Sequence, residues 1–286
     1  MTMTGIREVA RVIEPQYVIE GAGVLLRRSI APRGSNEFDP FLLFDHFAFN
    51  DPIEGPIRGF PIHPHRGIET VTYMLEGSTH HRDSLGNSGL IGPGDVQWMT
   101  SGSGILHEEM PRRGPSGNIY GFQLWVNLPA KSKMIAPRYQ EVNSREIPLH
   151  QNGGVKLRIV AGTAERVAGP VTEIAAEPLY LEAELAPGSE FNQETPGDYT
   201  ALAYVFEGEA LFGEQKVAAV RMIQFGAGDR IRVRTEDSSV RFMLIAGLPF
   251  REPIAPYGPF VMNTRQEIEQ ALQDLRNGTF IRNQPA

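Results

Sequence analysis

Apolar residues along most of the chain alternate with polar ones or stand in short β-branched runs, and turn residues close these runs. Residues 69–73 (ETVTY) and 230–234 (RIRVR) are clear examples. A period of two residues is typical of strands that bury one face. The pattern therefore predicts an all-β protein made of many short strands.

One strand–turn–strand unit occurs twice. YMLEG at 73–77 is followed by GPGD at 92–95, and YVFEG at 204–208 is followed by GAGD at 226–229. The second copy lies about 130 residues after the first, which is the length of an ordinary domain. The sequence therefore predicts two tandem β-barrels, an N-terminal domain over residues 1–144 and a C-terminal domain over residues 145–286.

One helix is expected near the C-terminus, over residues 263–275. Thr264 and Glu267 have the spacing of a capping box, and Gly278 is placed to end the helix. Its apolar stripe consists of Ile268, Ala271, Leu272 and Leu275. We expect this stripe to pack on the second barrel.

Composition narrows the function classes. The 286 residues carry a net charge of −7, which disfavours direct binding of nucleic acid, whereas a protein partner stays possible. No apolar run approaches the roughly 18 residues of a membrane span, and the first residues lack the apolar core of a secretory signal, so we expect a cytoplasmic protein. The absence of cysteine leaves imidazole and carboxylate as the strong metal ligands.

All histidines lie in the first 150 residues. They are His46, His63, His65, His80, His81, His107 and His150. The second copy of the repeat keeps the strand and turn signals but has no histidine. Any histidine-based metal site is therefore expected in the first domain alone, and the C-terminal domain is expected to have none.

Two short motifs carry the candidate chemistry. His63 and His65 stand at positions i and i+2, and His107 and Glu109 repeat that spacing, so each pair points to one face of an extended strand. If the two strands face each other inside a barrel, three nitrogens and one carboxylate oxygen converge on one divalent metal. Two octahedral positions then stay free for substrate, dioxygen or water. Glu69, four residues after His65, is a candidate for a competing carboxylate ligand or for an acceptor that orients one of the ligands.

The other candidates have simpler interpretations. A lone His-x-His pair is a weak signal, because surface strands carry such pairs by chance. We expect His46 to be a packed histidine, His150 to be solvated, and at least one of His80 and His81 to lie on an exposed loop or strand edge. Four apolar residues are candidates to line a pocket over the metal, with ordinary core packing as the alternative: Phe47, Met74, Trp98 and Phe122.

At these motifs the chain resembles the pirin family, whose members are bicupins. The resemblance rests on FPIHPHRG at 60–67, GPGDVQWM at 92–99, GILHEEMP at 104–111 and PYGPFVMNT at 256–264, and it extends over nearly the whole chain. It implies two tandem cupin barrels of jelly-roll type. It also implies that iron(II) is bound by His63, His65, His107 and Glu109, which ranks Glu69 second as a ligand.

The resemblance suggests two functions and leaves a third open. Several pirin-like proteins are described as quercetin 2,3-dioxygenases, which open a flavonol ring with O2 and release CO, and Glu109 would be the catalytic base. Other pirins are described as regulators, for which the iron would sense redox state and alter protein–protein contacts without turnover. A metal-binding scaffold with neither role is the third possibility. Manganese, cobalt, nickel, copper or zinc are chemically tolerable in place of iron.

Overall fold

A computed structural model gives the structure of the chain and describes residues 5–48 and 59–282. Strands dominate the fold, and one α-helix lies near the C-terminus, so the all-β prediction with tandem cupin barrels is confirmed. Among the described residues, no helix combines the length and the apolar character that crossing a bilayer requires.

The strands are numbered in chain order. Those of the first half are β1 (Val9–Ile13), β2 (Gln16–Glu20), β3 (Val24–Ile30), β4 (Phe41–Ala48), β5 (Phe60–His65), β6 (Ile68–Glu76), β7 (Ser78–Asp83), β8 (Ser88–Ile91), β9 (Val96–Thr100), β10 (Ile105–Arg112), β11 (Tyr120–Asn127) and β12 (Arg138–Val142). Those of the second half are β13 (Leu149–Asn152), β14 (Val155–Ala161), β15 (Thr163–Ala164), β16 (Val167–Ala168), β17 (Leu179–Leu185), β18 (Glu190–Glu194), β19 (Thr200–Phe212), β20 (Gln215–Ala218), β21 (Arg221–Phe225), β22 (Arg230–Arg234), β23 (Val240–Gly247), β24 (Ala255–Tyr257) and β25 (Phe260–Met262). A 3₁₀ turn covers Ala130–Ser132, and helix α1 covers Arg265–Asn277.

The chain forms two compact units. The N-terminal barrel comprises Gln16–Ser144 and Phe250–Ala286, and the C-terminal barrel comprises Met1–Pro15 and Arg145–Pro249. The predicted domains of 1–144 and 145–286 therefore differ from the structure at both ends of the chain. Strand β1 pairs with β21 of the C-terminal barrel, and the C-terminal segment belongs to the N-terminal barrel.

The N-terminal barrel is built from two antiparallel sheets. The larger has the strand order β12-β9-β6-β11-β4-β3-β2, and the smaller has the order β5-β10-β7-β8. Residues of the larger sheet fill the core, among them the fully buried Phe44, Val71, Trp98, Phe122 and Leu124. The smaller sheet makes β5 and β10 direct neighbours, and these strands carry the two histidine motifs.

The predicted C-terminal helix is confirmed with both of its caps, although it covers Arg265–Asn277 rather than 263–275. The Thr264 hydroxyl accepts from the Glu267 backbone, the Glu267 side chain accepts from the Thr264 backbone, and Gly278 ends the helix in the left-handed region. This reciprocal pairing satisfies donors that the first helical turn leaves free. The helix boundary therefore follows from local sequence.

The predicted packing of this helix on the second barrel is wrong. Ile268 and Ala271 join Phe260 of β25 in a small apolar cluster. Asp274 accepts from the fully buried Arg66 at 2.7 Å, which fixes the helix to the N-terminal barrel. An apolar stripe shows which helix face is buried but not which partner covers it, so the sequence pattern was insufficient here.

The C-terminal barrel has an apolar interior. Its main strand order is β1-β21-β19-β23-β17-β14-β13, while β18 pairs with β22. Phe191, Phe212 and Phe242 lie together in its buried cluster, with Phe212 and Phe242 in an edge-to-face contact at 5.3 Å. Such aromatic packing is the ordinary way for a barrel to fill its interior.

Candidate metal centre

Three histidines converge on the smaller sheet of the N-terminal barrel. His107 on β10 pairs in register with His63 on β5, and Ile105 pairs with His65, so both motifs lie side by side. One ring nitrogen from each histidine lies within 4.8 Å of the others. The expected convergence of the three imidazoles is therefore present in the structure.

Backbone carbonyls select the tautomer of two of these rings. His63 Nδ1 lies 2.9 Å from the Pro61 carbonyl oxygen, and His65 Nδ1 lies 3.1 Å from that of Pro259. Because a carbonyl only accepts, each Nδ1 of the neutral rings must carry the proton. Each Nε2 then presents a lone pair, and these two Nε2 atoms are 3.1 Å apart.

Two facing lone pairs cannot hydrogen-bond to each other, but they suit a shared cation. Nδ1–H···O=C bonding is also the usual way in which a metal-binding histidine is oriented. His107 adds a buried ring whose two nitrogens have no hydrogen-bond partner among the described residues. The donor set therefore fits a divalent transition metal on the chemistry of its own atoms.

Burial keeps the deeper imidazoles neutral. It lowers the pKa of His65 to about 3, with His63 adding to the shift and the Pro259 carbonyl opposing it. Burial likewise lowers the pKa of His107 well below its ordinary value, and the neighbouring histidines contribute in the same direction. Neutral imidazole is the form that binds metal, so these rings need not lose a proton at neutral pH.

Glu109 lies near the three histidines but outside their close group. It follows His107 on the inner face of β10, where the pairing with β5 shifts register, and its carboxylate accepts from the Thr72 hydroxyl at 3.0 Å. Burial raises the pKa of the Glu109 carboxyl, although His63 and the bond from Thr72 act in the opposite direction. The predicted fourth ligand is therefore adjacent to the histidines, but it accepts a hydrogen bond from β6 of the larger sheet.

Glu69, the competing candidate, is held by two other side chains. Its carboxylate accepts from Trp98 Nε1 at 3.2 Å and from the Thr100 hydroxyl at 2.7 Å. It does not belong to the close histidine group. Burial raises its pKa to about 7, while both hydrogen bonds oppose the shift. These contacts favour a role in packing the barrel interior over a role as a ligand.

A cavity of about 530 Å³ opens onto the centre. His63, His65 and Glu109 contribute to its wall together with Phe47, Phe60, Trp125, Pro256 and Pro259. Of the four apolar candidates for such a pocket, Phe47 lines it, whereas Met74, Trp98 and Phe122 belong to the buried core. The sequence did not single out Phe60, Trp125 or the Pro259 carbonyl, because no spacing links them to the histidine motifs.

The remaining histidines lie apart from the close group. His80 is half-buried on β7 near the Ser88 hydroxyl, and His46 is buried against the ring of Tyr120. His81 is fully buried, with its Nε2 2.6 Å from the Glu141 carboxylate. His150 is half-buried on β13, a strand rather than the expected solvated connection.

Sequence comparisons agree with this geometry. The family model described as Pirin matches residues 23–126, and the model described as the Pirin C-terminal cupin domain matches residues 180–281. A pirin-like protein of Caulobacter vibrioides is 43% identical over 277 residues, which covers 96% of this chain and 99% of that protein. This chain belongs to the pirin family.

Other pirin relatives extend the comparison. Human pirin is 44% identical over 264 residues, which covers 90% of this chain and 88% of the human protein. A crystal structure named as quercetin 2,3-dioxygenase from Acinetobacter baumannii has a TM-score of 0.87 and 31% identity, and covers 96% of this chain and 99% of its own. The pirin family, the cupin fold and similarity to a dioxygenase structure are therefore shown.

Proposed function

We propose that this pirin is a metal-dependent dioxygenase that acts on a flavonol, most directly quercetin, and opens its ring with O2 to give a depside and CO. The facing Nε2 atoms of His63 and His65 carry the proposal, because two lone pairs at this separation suit a shared cation. The Acinetobacter baumannii structure named as quercetin 2,3-dioxygenase supports the choice of reaction.

In this proposal His63, His65, His107 and Glu109 bind one divalent metal, with iron(II) as the first choice. Manganese, cobalt, nickel, copper and zinc are chemically compatible with the same donors. When bound, the metal supplies a Lewis acid for the substrate oxygen and a path for electrons to dioxygen.

Glu109 is the proposed base that takes the proton of the flavonol 3-hydroxyl. Burial raises the pKa of its carboxyl, which makes the ionised form a better proton acceptor than a solvated glutamate. The Thr72 hydroxyl donates to Oε1, which orients the carboxylate. The aromatic side chains of Phe47, Phe60 and Trp125 give the cavity flat apolar surfaces for the substrate rings and limit the access of water.

A redox-sensing regulator is the alternative function for the same donors. Such a sensor needs only access for electrons or oxygen, whereas a flavonol needs a cavity of roughly 300 Å³ or more. The volume of about 530 Å³ at this site therefore favours turnover of a small molecule.

The experiment compares His107→Ala with His80→Ala in freshly purified protein. Losing a buried ligand should lower metal affinity by at least about 100-fold and abolish flavonol consumption. Mutation of a residue that only hydrogen-bonds to a ligand already lowers metal affinity by about 10–100-fold. His80 lies on neighbouring β7 outside the close group, so its variant should keep both properties. Elemental analysis measures the metal, and flavonol absorbance with CO release measures turnover when oxygen is admitted.

Full metal content and normal turnover in His107→Ala would remove this histidine from the site. Metal binding without flavonol turnover in the unmodified protein would leave the donors intact and reject the dioxygenase proposal.

A further inference from the structure

A charged cluster forms part of the wall of the same cavity. Arg28 on β3 binds both carboxylate oxygens of Asp45 on β4, from Nε at 2.8 Å and from a terminal nitrogen at 2.7 Å. Its other terminal nitrogen binds Glu20 on β2 at 2.7 Å. The Asp45 side chain is 5% exposed, that of Arg28 17% and that of Glu20 43%. The cluster thus extends from the barrel interior to its surface.

Packing alone does not explain why charged residues occupy this part of the cavity wall. A buried ion pair often stabilises a fold no better than apolar residues of similar volume, because both charges lose their hydration. Neighbouring Leu26 and Leu43 line the same cavity and show that apolar residues fit this wall. A charged cluster facing a cavity therefore points to recognition of a polar ligand.

The cluster offers acceptors and a net negative charge. Two carboxylates accompany one guanidinium, so the sum is −1, and each Asp45 oxygen keeps a second lone pair beside the bond from Arg28. Hydroxyl groups of a neutral ligand can donate to these oxygens. A carboxylate or sulfonate on the ligand would instead be repelled and would compete with Glu20 for Arg28.

Strand register also relates the position of Asp45 to that of the proposed base. Asp45 pairs in register with Gln123 on β11, and Gln123 pairs with Thr72 on β6. Two strand spacings of about 4.8 Å separate the backbones at Asp45 and Thr72, which is about 10 Å in total. Thr72 donates to Glu109, the proposed base. A ligand that holds its 3-hydroxyl at Glu109 therefore lies over the same inner face that carries Asp45, and its outer ring can be directed toward Asp45.

From these observations we infer that Asp45, oriented by Arg28 and assisted by Glu20, recognises the outer-ring hydroxyls of a neutral polyhydroxylated aromatic substrate and disfavours substrates with an anionic group at that end. This inference rests on the proposed function for the orientation of the ligand. It adds the residues that select among ring-hydroxylated substrates.

Binding is measured under argon with metal-loaded protein, so that no turnover is needed. The probes are quercetin, which has two outer-ring hydroxyls, galangin, a flavonol with none, and quercetin carrying an outer-ring sulfonate. Quenching of tryptophan fluorescence gives the three dissociation constants. A hydrogen bond to a charged group corresponds to about 10-fold or more in affinity, so quercetin should bind about 10-fold more tightly than galangin. The sulfonate should bind less tightly than galangin.

Two variants test the assignment. Asp45→Asn keeps one uncharged acceptor oxygen, so it should reduce the quercetin-to-galangin ratio. Arg28→Met combined with Asp45→Leu removes the pair without leaving a buried charge, so it tests the same ratio if the single variant does not fold. In that double variant the rejection of the sulfonate should also decrease.

The chain provides a matched control in the C-terminal barrel. Arg241 binds Glu182, which is 6% exposed, and Glu207, which is 49% exposed, in the same arrangement of one guanidinium with two carboxylates. Glu182→Gln should therefore leave all three dissociation constants unchanged.

Equal binding of quercetin and galangin by the unmodified protein would overturn the inference, as would an unchanged ratio in the folded Asp45 variants. These outcomes are separable from failure of the proposed function. Hydroxyl-dependent binding without turnover would support the recognition residues and reject the reaction. Equal turnover with equal binding of both flavonols would support the reaction and reject the recognition residues.

Discussion

Glu69→Gln tests whether this glutamate belongs to the barrel interior or to the metal site. Glutamine has the same shape, and it can accept from Trp98 Nε1 while its amide donates to the Thr100 hydroxyl. The replacement therefore removes the ionisable group and keeps the contacts. If Glu69 is no ligand, metal content should equal that of the unmodified protein.

The same replacement should change how stability depends on pH. Burial raises the folded-state pKa of Glu69 from 4.5 to about 7. The folded protein thus holds this proton more tightly than the unfolded chain does. The resulting stabilisation is complete below the unfolded value and is lost as pH rises through the folded value. At 1.36 kcal/mol per pKa unit the loss is about 3 kcal/mol between about pH 4 and pH 8.

Urea unfolding of chelator-treated protein across this pH range measures the effect. The free energy of unfolding of Glu69→Gln, relative to the unmodified protein, should increase by about 3 kcal/mol from the acidic to the alkaline end. Thr100→Val gives the opposite test, because it removes a donor that favours the ionised carboxylate and should steepen the loss. Parallel pH curves for Glu69→Gln and the unmodified protein, or loss of metal in this variant, would refute the reasoning.

Two further predictions concern the supports of the metal site. Asp274→Asn should lower the free energy of unfolding by about 3 kcal/mol in urea titrations, because it leaves the buried Arg66 without its carboxylate partner; an unchanged midpoint would contradict this. Gly67→Ala should lower the free energy of unfolding by about 2 kcal/mol or more. Gly67 has a φ of +79°, and an added Cβ would lie 2.4 Å from the Val261 carbonyl oxygen. Gly86→Ala, with a φ of +87° and open space around it, measures backbone strain alone; equal losses in both glycine variants would show that the close contact contributes nothing.

Much of the fold followed from local sequence signals. Alternation predicted the strands, the repeated strand–turn units predicted two barrels, and the Thr264 capping box predicted the helix with its start. The pairing of strands and the packing of the helix did not follow from these signals. Alternation determines which face of a strand is buried, but it carries no information on which strand lies beside it. This is why the pairing of β1 with β21 and the packing of the helix against β25 required the structure.

The candidate site was also predictable only in part from local sequence. The spacing of His63 and His65 placed both rings on one face, and register across β5 and β10 added His107. The groups that orient these rings were not predictable, because they are backbone carbonyls such as that of Pro259, distant in sequence and independent of side-chain type. Arg28 and Asp45 were also missed, since an arginine and an aspartate on separate strands give no signal until register pairs them.

The two barrels differ in the residues that they bury. The C-terminal barrel fills its interior with Phe191, Phe212 and Phe242, as expected of a barrel whose interior contributes mainly to stability. The N-terminal barrel also buries His107, neither of whose ring nitrogens has a hydrogen-bond partner in the part of the chain that the structure describes. Unpaired buried polar atoms cost about 1–3 kcal/mol each, and a fold that only needed stability would replace them with apolar groups. The persistence of this buried ring beside His63 and His65 is explained if one of its nitrogens binds a metal ion.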